Sequence, residues 1–194
     1  MKIFIKRYIM LKKNLLVVPA MLVLGIVLLG CASIPPAPVM PKTAETATVY
    51  FIMGSPGVTL TGGGLTLGAQ FSLWDGDTFL SNIGGKEFLV LNFTPGNHYF
   101  TAQGDNSYIS QAELAAGKTY YYEITMLPGF SRPNALLHIM EPYDPEIDDL
   151  LKKCKEITPK GKTADGYIKM VSDNLAKAIA GSENIDFVPA DKGR

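Results

Sequence analysis

The chain has 194 residues, with 18 basic and 18 acidic side chains and two cysteines. Five of the basic residues and none of the acidic ones precede Cys31, so the part after Gly30 holds 13 basic and 18 acidic residues and a formal charge of −5. Nucleic-acid binding requires a basic patch, and a disulfide scaffold or a cysteine zinc site requires more cysteines. The composition therefore argues against all three classes.

Residues 1–30 have the layout of a secretory signal peptide. Residues 1–13 are basic, and residues 15–29 form an apolar run that Pro19 interrupts once. This order of segments, closed by a small residue, is typical of an export signal. The apolar run spans 15 residues, which is fewer than the ~20 that a membrane-spanning helix requires. We therefore favour a cleaved signal peptide; an uncleaved membrane helix is the alternative.

The end of this segment, Leu28-Leu29-Gly30-Cys31, resembles the lipobox of bacterial lipoproteins. The resemblance implies cleavage between Gly30 and Cys31, a diacylglycerol on the Cys31 thiol and a further acyl chain such as palmitate on the new amine. These chains would hold the protein at a membrane. Ala32 is compatible with the outer membrane, so we expect an envelope lipoprotein that faces the periplasm; an inner-membrane location stays open.

Met10 lies inside the long basic segment. A start at Met10 rather than Met1 would give a signal peptide of more usual proportions. We hypothesise this start, and loss of export after removal of the preceding codons would contradict it.

Residues 31–46 contain four prolines, which favour an extended tether that holds the following domain off the bilayer. Residues 47–141 are rich in β-branched and aromatic residues separated by turn signals, such as Asp75-Gly76-Asp77. We predict about eight short strands and a mainly β, antiparallel sandwich. The segment Gly54–Gly68, with Pro56 and the triplet Gly62-Gly63-Gly64, is predicted to be a mobile loop. A phosphate-binding loop is disfavoured, because no Gly-Lys-Ser/Thr motif follows.

Three segments of this region resemble a known family. They are Ala47–Phe51, Phe93–His98 and Ala115–Tyr122, and they resemble an uncharacterised family of bacterial envelope proteins, many of them lipoproteins, catalogued as domain of unknown function 2846. The resemblance implies an immunoglobulin-like or transthyretin-like sandwich over residues 47–141. The family's first strand often ends in an arginine, whereas this chain has Ile52-Met53-Gly54 there. The family has no known catalytic residues to transfer.

Residues 142–182 are predicted to add one or two helices, followed by a flexible tail over residues 183–194. Asp144 and Pro145 are typical of a helix start, and Cys154 falls on the apolar face of that helix. We favour a buried structural thiol over a reactive one. A second helix over Gly166–Ala180 either docks on the sandwich or binds a partner.

The sequence offers no pattern for catalysis. Only His98 and His138 are present, and the spacings of a nucleophile elbow or a metal site are missing. We therefore predict no enzyme, cofactor or metal, and favour a membrane-anchored interaction or structural module with an envelope protein partner. The alternative is a periplasmic binder of a small molecule or glycan, using the Gly54–Gly68 loop and an exposed Trp74 or Tyr121.

Overall fold

The computed structural model describes residues 33–55, 59–61, 64–66, 68–104, 107–128, 133–181 and 185–194. These residues form two five-stranded sheets, two small two-stranded sheets and two α-helices. The elements in chain order are β1 (Ser33–Ile34), β2 (Ala47–Met53), β3 (Thr59–Thr61), β4 (Gly64–Thr66), β5 (Gln70–Asp75), β6 (Thr78–Gly84), β7 (Glu87–Phe93), β8 (Gly96–Gln103), β9 (Ser107–Leu114), β10 (Thr119–Leu127), β11 (Asn134–Ile139), α1 (Pro145–Lys153), β12 (Lys155–Ile157), β13 (Thr163–Ala164), α2 (Asp165–Ile179) and β14 (Ile185–Val188).

The two large sheets are the layers of a sandwich. Sheet I has the order β11-β10-β2-β7-β12, and sheet II has the order β14-β9-β8-β5-β6. Most neighbouring strands are antiparallel, but β2 and β10, β7 and β12, and β9 and β14 pair in parallel. The predicted mainly β sandwich followed by helices is therefore confirmed, with mixed sheets.

The apolar core lies between the sheets, and strand alternation explains which side chains enter it. Tyr120, Tyr122 and Ile124 of β10 face this core and are at most 1% exposed, whereas Tyr121 belongs to a different apolar cluster. Successive side chains of a strand point to opposite faces. The strand therefore alternates between the two apolar clusters, and both of its faces are covered.

Glycines close two of the predicted turns. Gly76 has a φ of 58° between β5 and β6, and Gly117 has a φ of 72° between β9 and β10. A side chain disfavours these left-handed conformations, whereas glycine adopts them without strain. The hairpin predicted at Asp75-Gly76-Asp77 is confirmed by the pairing of β5 with β6.

One helix packs on the outer face of each sheet. The side chain of Asp144 accepts a hydrogen bond from the Glu146 N–H at the start of α1, as the sequence predicts. Ile147 and Leu150 of α1 then pack on sheet I. On sheet II, α2 buries Val171 against Trp74 and Phe79, so the second predicted helix docks on the sandwich.

The segment predicted to be a free tether is bound to the rest of the fold at several points of its described part. β1 pairs with β13, the Ala37 N–H donates to the Phe79 carbonyl at 2.9 Å, and the Asn92 side-chain amide donates to the Met40 carbonyl at 3.0 Å. Prolines remove backbone donors but leave the carbonyls and the intervening N–H groups free to pair. The prediction of a tether over 31–46 is therefore wrong for residues 33–46.

The predicted flexible tail is also ordered in its described part. β14 pairs with β9 and buries Val188, and the backbones of Thr119 and Arg194 exchange two hydrogen bonds of 2.7 and 3.0 Å. Residues 185–194 thus extend the sandwich by one strand, and their predicted flexibility is wrong. The predicted end of the sandwich domain at residue 141 is also wrong. Both β12 and β14 follow that residue, and β12 belongs to sheet I and β14 to sheet II.

The glycine-rich segment Gly54–Gly68 is not a loop throughout. β3 and β4 pair as a short antiparallel hairpin within it. Residues 56–58, 62–63 and 67 lie outside the described residues.

Candidate functional site

A cavity of about 190 Å³ lies between residues 37–40 and the sandwich. Strands β5 to β8 supply its wall, and residues 37–40 form the other side. The side chains that line it are mainly apolar, with a small polar group that includes Asp75, Thr78, Asn92 and His98. An apolar cavity with a few convergent polar groups is the usual form of a small-molecule site.

The polar wall of the cavity is built around His98. Its Nδ1 lies 2.7 Å from Oδ2 of Asp75, and its Nε2 lies 2.9 Å from the carbonyl oxygen of Thr94. Oδ1 of Asp75 accepts a further hydrogen bond from the Tyr99 N–H at 3.2 Å. Both partners of the imidazole are acceptors, so both ring nitrogens are satisfied only when each carries a proton.

The surroundings of His98 favour this charged form. Burial by itself lowers the pKa of an imidazole, but the hydrogen bond and the negative charge of Asp75 outweigh it, and together with the Thr94 carbonyl they raise the pKa of His98 above its usual value. With both N–H groups engaged, the ring has no free nitrogen to take a proton from a substrate. The His98–Asp75 pair therefore joins strand β5 with strand β8 and does not act as a general base.

The two histidines are not brought together. His98 lies in sheet II, whereas His138 lies in β11 of sheet I and is exposed. Across the described ranges, no group of three or more His, Cys, Asp or Glu side chains is placed to hold a metal ion. The arrangement of apolar side chains around the cavity can bind a small apolar group.

The structure corrects the predicted binding surface. Trp74 is fully buried beneath α2, and Tyr121 is only 7% exposed beneath α1. Each lies on the outer face of its sheet, as alternation predicts, but a helix covers that face. The prediction of an exposed Trp74 or Tyr121 is therefore wrong, because both helices dock.

Tyr121 instead belongs to an aromatic cluster that sequence reasoning missed. Its ring stacks on Tyr50 with centroids 4.8 Å apart. The Arg194 guanidinium lies 4.5 Å from the ring centroid, and its Nη2 donates to the Tyr121 hydroxyl at 2.8 Å. Charge over an aromatic face adds attraction to the hydrogen bond, so this cluster fastens residues 190–194 to sheet I.

Cys154 has the buried setting that the sequence predicts. It is 9% exposed, and its thiol lies 3.8 Å from the Met53 carbonyl oxygen. Burial raises the pKa of the thiol despite the nearby Lys86 and Lys153. A raised pKa keeps the thiol protonated and unreactive, so the structural interpretation of Cys154 is confirmed.

The His98–Asp75 pair could not be found from sequence spacing. Asp75 and His98 are separated by two intervening strands, and they meet because β5 pairs with β8 as well as with β6. The only local signal is the position of each residue beside a predicted turn. Gly30 and Cys31 lie outside the described residues, so lipid attachment and cleavage at this position stay predictions.

Comparisons with known proteins return no relative. No family model, no curated protein and no solved structure matches the chain. The resemblance to domain of unknown function 2846 therefore stays a prediction. No helix in the part of the chain that the structure describes is long and apolar enough to cross a membrane.

Proposed function

We propose that this protein is a bacterial envelope lipoprotein, anchored through Cys31 in the outer membrane and facing the periplasm. The observation that carries the proposal is the motif Leu28-Leu29-Gly30-Cys31 behind a basic and then an apolar segment. The start of the described structure supports the proposal, because the first described strand begins at Ser33, two residues after Cys31.

The anchor is tested by growth with a radiolabelled or alkyne-tagged fatty acid, followed by membrane fractionation. The native chain is expected to carry the label and to sediment with outer membranes. Cys31→Ser is expected to lose both properties, and Cys154→Ser, which alters the other cysteine, is expected to retain both. Label on the Cys31→Ser protein would contradict the proposal.

Its role is that of a non-enzymatic module that binds another envelope protein or stabilises an assembly. The support comes from the histidine of the cavity: the ring of His98 is held by Asp75 and Thr94 and lacks a free ring nitrogen. A catalytic base needs such a nitrogen within reach of its substrate.

This role is tested by gentle extraction of the tagged, full-length protein from its own host and identification of what co-purifies. An envelope protein that co-purifies in a fixed ratio, and that no longer co-purifies when an exposed residue is replaced, supports the interaction module. A lipidated monomer without any companion would contradict it.

The cavity favours a second candidate, a lipoprotein that binds a small apolar molecule. At about 190 Å³ it is smaller than the ~300–1,000 Å³ of typical ligand pockets, yet apolar cavities of ~150 Å³ already bind molecules as small as benzene. A ligand of one small ring or a short alkyl group fits this volume. Thermal-shift screening of such fragments tests this candidate, with Leu91→Phe as a variant that fills the cavity. Shifts that persist unchanged in Leu91→Phe would place the ligand elsewhere.

A further inference from the structure

The length of chain between the acylation site and the folded body limits how far that body can stand from a membrane. Only Ala32 separates Cys31 from Ser33, so the two Cα atoms are at most about 7 Å apart. A free tether over residues 31–46 would instead reach ~50 Å in an extended polyproline conformation. The structure excludes that reach, since β1 pairs with β13 at Ser33 and Ile34.

Two hydrogen bonds made by the residues that follow β1 support its pairing with β13. The Ala37 N–H and the Met40 carbonyl both bond to the sandwich, at 2.9 and 3.0 Å. A longer free tether would form only if these two hydrogen bonds and the β1–β13 pairing were broken. Ser33 and Ile34 are thus held to the rest of the described fold, and Cys31 precedes Ser33 by two residues.

β13 leads directly into α2, and Ser33 pairs with Ala164, so the beginning of β1 lies beside the beginning of that helix. Lys169 in α2 is exposed and pairs with Asp173 at 2.7 Å, and Lys162, just before β13, is a further exposed positive charge. Such side chains are attracted to anionic lipid headgroups. Helix α1 lies on the outer face of sheet I, on the opposite side of the sandwich from α2.

We propose that the body rests directly on the bilayer in one orientation, with the β1–β13 pair, Lys162 and the beginning of α2 against anionic phospholipid headgroups and α1 turned away. This inference rests on the proposed acylation of Cys31. A body on a free tether would sample many orientations, whereas the body in this orientation presents sheet I and α1 to the periplasm. A partner in the periplasm would therefore meet the α1 side.

The orientation is tested with the acylated, full-length protein in vesicles of phosphatidylethanolamine and phosphatidylglycerol. Two matched labelling sites are available in a Cys154→Ser background. Lys169 of α2 has a side chain 78% exposed, and Lys152 of α1 has one 76% exposed. Each is replaced by cysteine, labelled with a fluorophore and exposed to lipids that carry a headgroup nitroxide.

The expected result is quenching several-fold stronger at position 169 than at position 152. The sheets lie about 10 Å apart and each helix adds about 10 Å, so the two labels differ in height by roughly 30 Å. A Gly-Ser insertion of about 12 residues between Ala32 and Ser33 is expected to reduce the quenching at 169 to the value at 152, because it restores a long leash.

Equal quenching at the two positions, in protein whose mass shows acylated Cys31, would overturn the orientation and leave the lipoprotein proposal standing. Protein whose mass shows an unmodified Cys31 would overturn both. The mass of the reconstituted sample therefore separates the two failures.

Discussion

Two buried polar side chains of the sandwich, Tyr122 and Ser110, pair with each other across the core. The Tyr122 hydroxyl lies 3.0 Å from Ser110 Oγ, and both residues are at most 2% exposed. Burial raises the pKa of Tyr122 strongly, even though the hydrogen bond with Ser110 opposes the rise. The phenol therefore stays neutral, and its hydrogen bond joins sheet I to sheet II.

Removal of one partner of this pair should cost more than removal of both. Tyr122→Phe leaves Ser110 Oγ buried without a partner, and we expect a loss of about 1–3 kcal/mol in the free energy of unfolding. The double variant Tyr122→Phe, Ser110→Ala should regain part of that loss. Urea unfolding of the two single variants and the double variant measures the coupling, and simple additivity would contradict the pairing.

The His98–Asp75 pair should make stability depend on pH in a defined direction. The pKa of His98 is raised in the folded state, so its contribution is complete below the unfolded value of about 6.5 and is lost as pH rises through the folded value. We expect His98→Gln to cost about 1.5–3 kcal/mol at pH 5.5 and less at pH 9.

Urea unfolding at the two pH values measures this difference. His138→Gln is the matched control, because His138 is exposed and its replacement should change stability by less than about 0.5 kcal/mol. An equal cost of His98→Gln at both pH values would show that the imidazole is not charged in the folded protein.

Local signals in the sequence predicted some features of single residues and missed others. Asp144 was predicted as a helix cap because capping depends on the next two or three residues. Cys154 was predicted as buried because helical periodicity places it on the apolar face. Trp74 was placed at the surface because its exposure depends on the docking of α2, which begins about ninety residues later. Contacts of that range leave no trace in local spacing.

Helix α2 is held to sheet II by a small apolar contact around Trp74. Val171 is 2% exposed and packs against Trp74 and Phe79. The ring centroids of Trp74 and Phe79 are 5.3 Å apart. Trp74 Nε1 is buried without a hydrogen-bond partner, which costs free energy. Near the other end of the helix, Ala178 is 3% exposed, whereas its neighbour Ile179 is 59% exposed.

Fluorescence of the single tryptophan reports whether this helix is docked. Val171→Asp places an unpaired charge in the contact, and we expect Trp74 emission to shift to the red, with a stability loss of at least about 2 kcal/mol. Lys177→Asp on the exposed side of α2 is the control and should keep the native emission. A red-shifted spectrum in the native protein would mean that the helix is not docked.

Strand β14 should be an integral part of sheet II. Val188 is 2% exposed and its neighbour Phe187 is 56% exposed, so the two side chains test the same strand from opposite faces. We expect Val188→Ala to lower the free energy of unfolding by about 1–3 kcal/mol and Phe187→Ala by less than about 1 kcal/mol. Equal, negligible effects of both substitutions would restore the prediction of a flexible tail.

The strands between residues 47 and 141 could be predicted because alternation and turn residues are local properties. The alternation of Tyr120 to Ile124 and the turn at Gly76 belong to this class. The pairings of β1, β12 and β14 could not be predicted, since each is a strand of two to four residues whose partner lies far away in sequence. Such short strands carry too few residues for a periodic signal.

The described residues form a sandwich covered on each outer face by a helix, with β1 beside the start of α2. Its body carries a formal charge of −5 after Gly30, and an acidic protein does not adhere to anionic lipids through its net charge. In the proposed lipoprotein, attachment to a membrane would therefore depend on covalent lipid at Cys31. Two or more acyl chains suffice for stable anchoring, at about 0.8 kcal/mol for each buried methylene.

The intact mass of the protein extracted from host membranes tests this account most directly. We predict a chain that begins at Cys31 and carries acyl chains, with a mass that returns to that of the unmodified chain after chemical removal of the lipid. A chain that retains the residues before Cys31, with an unmodified thiol at that position, would contradict the anchor and the orientation inferred from it.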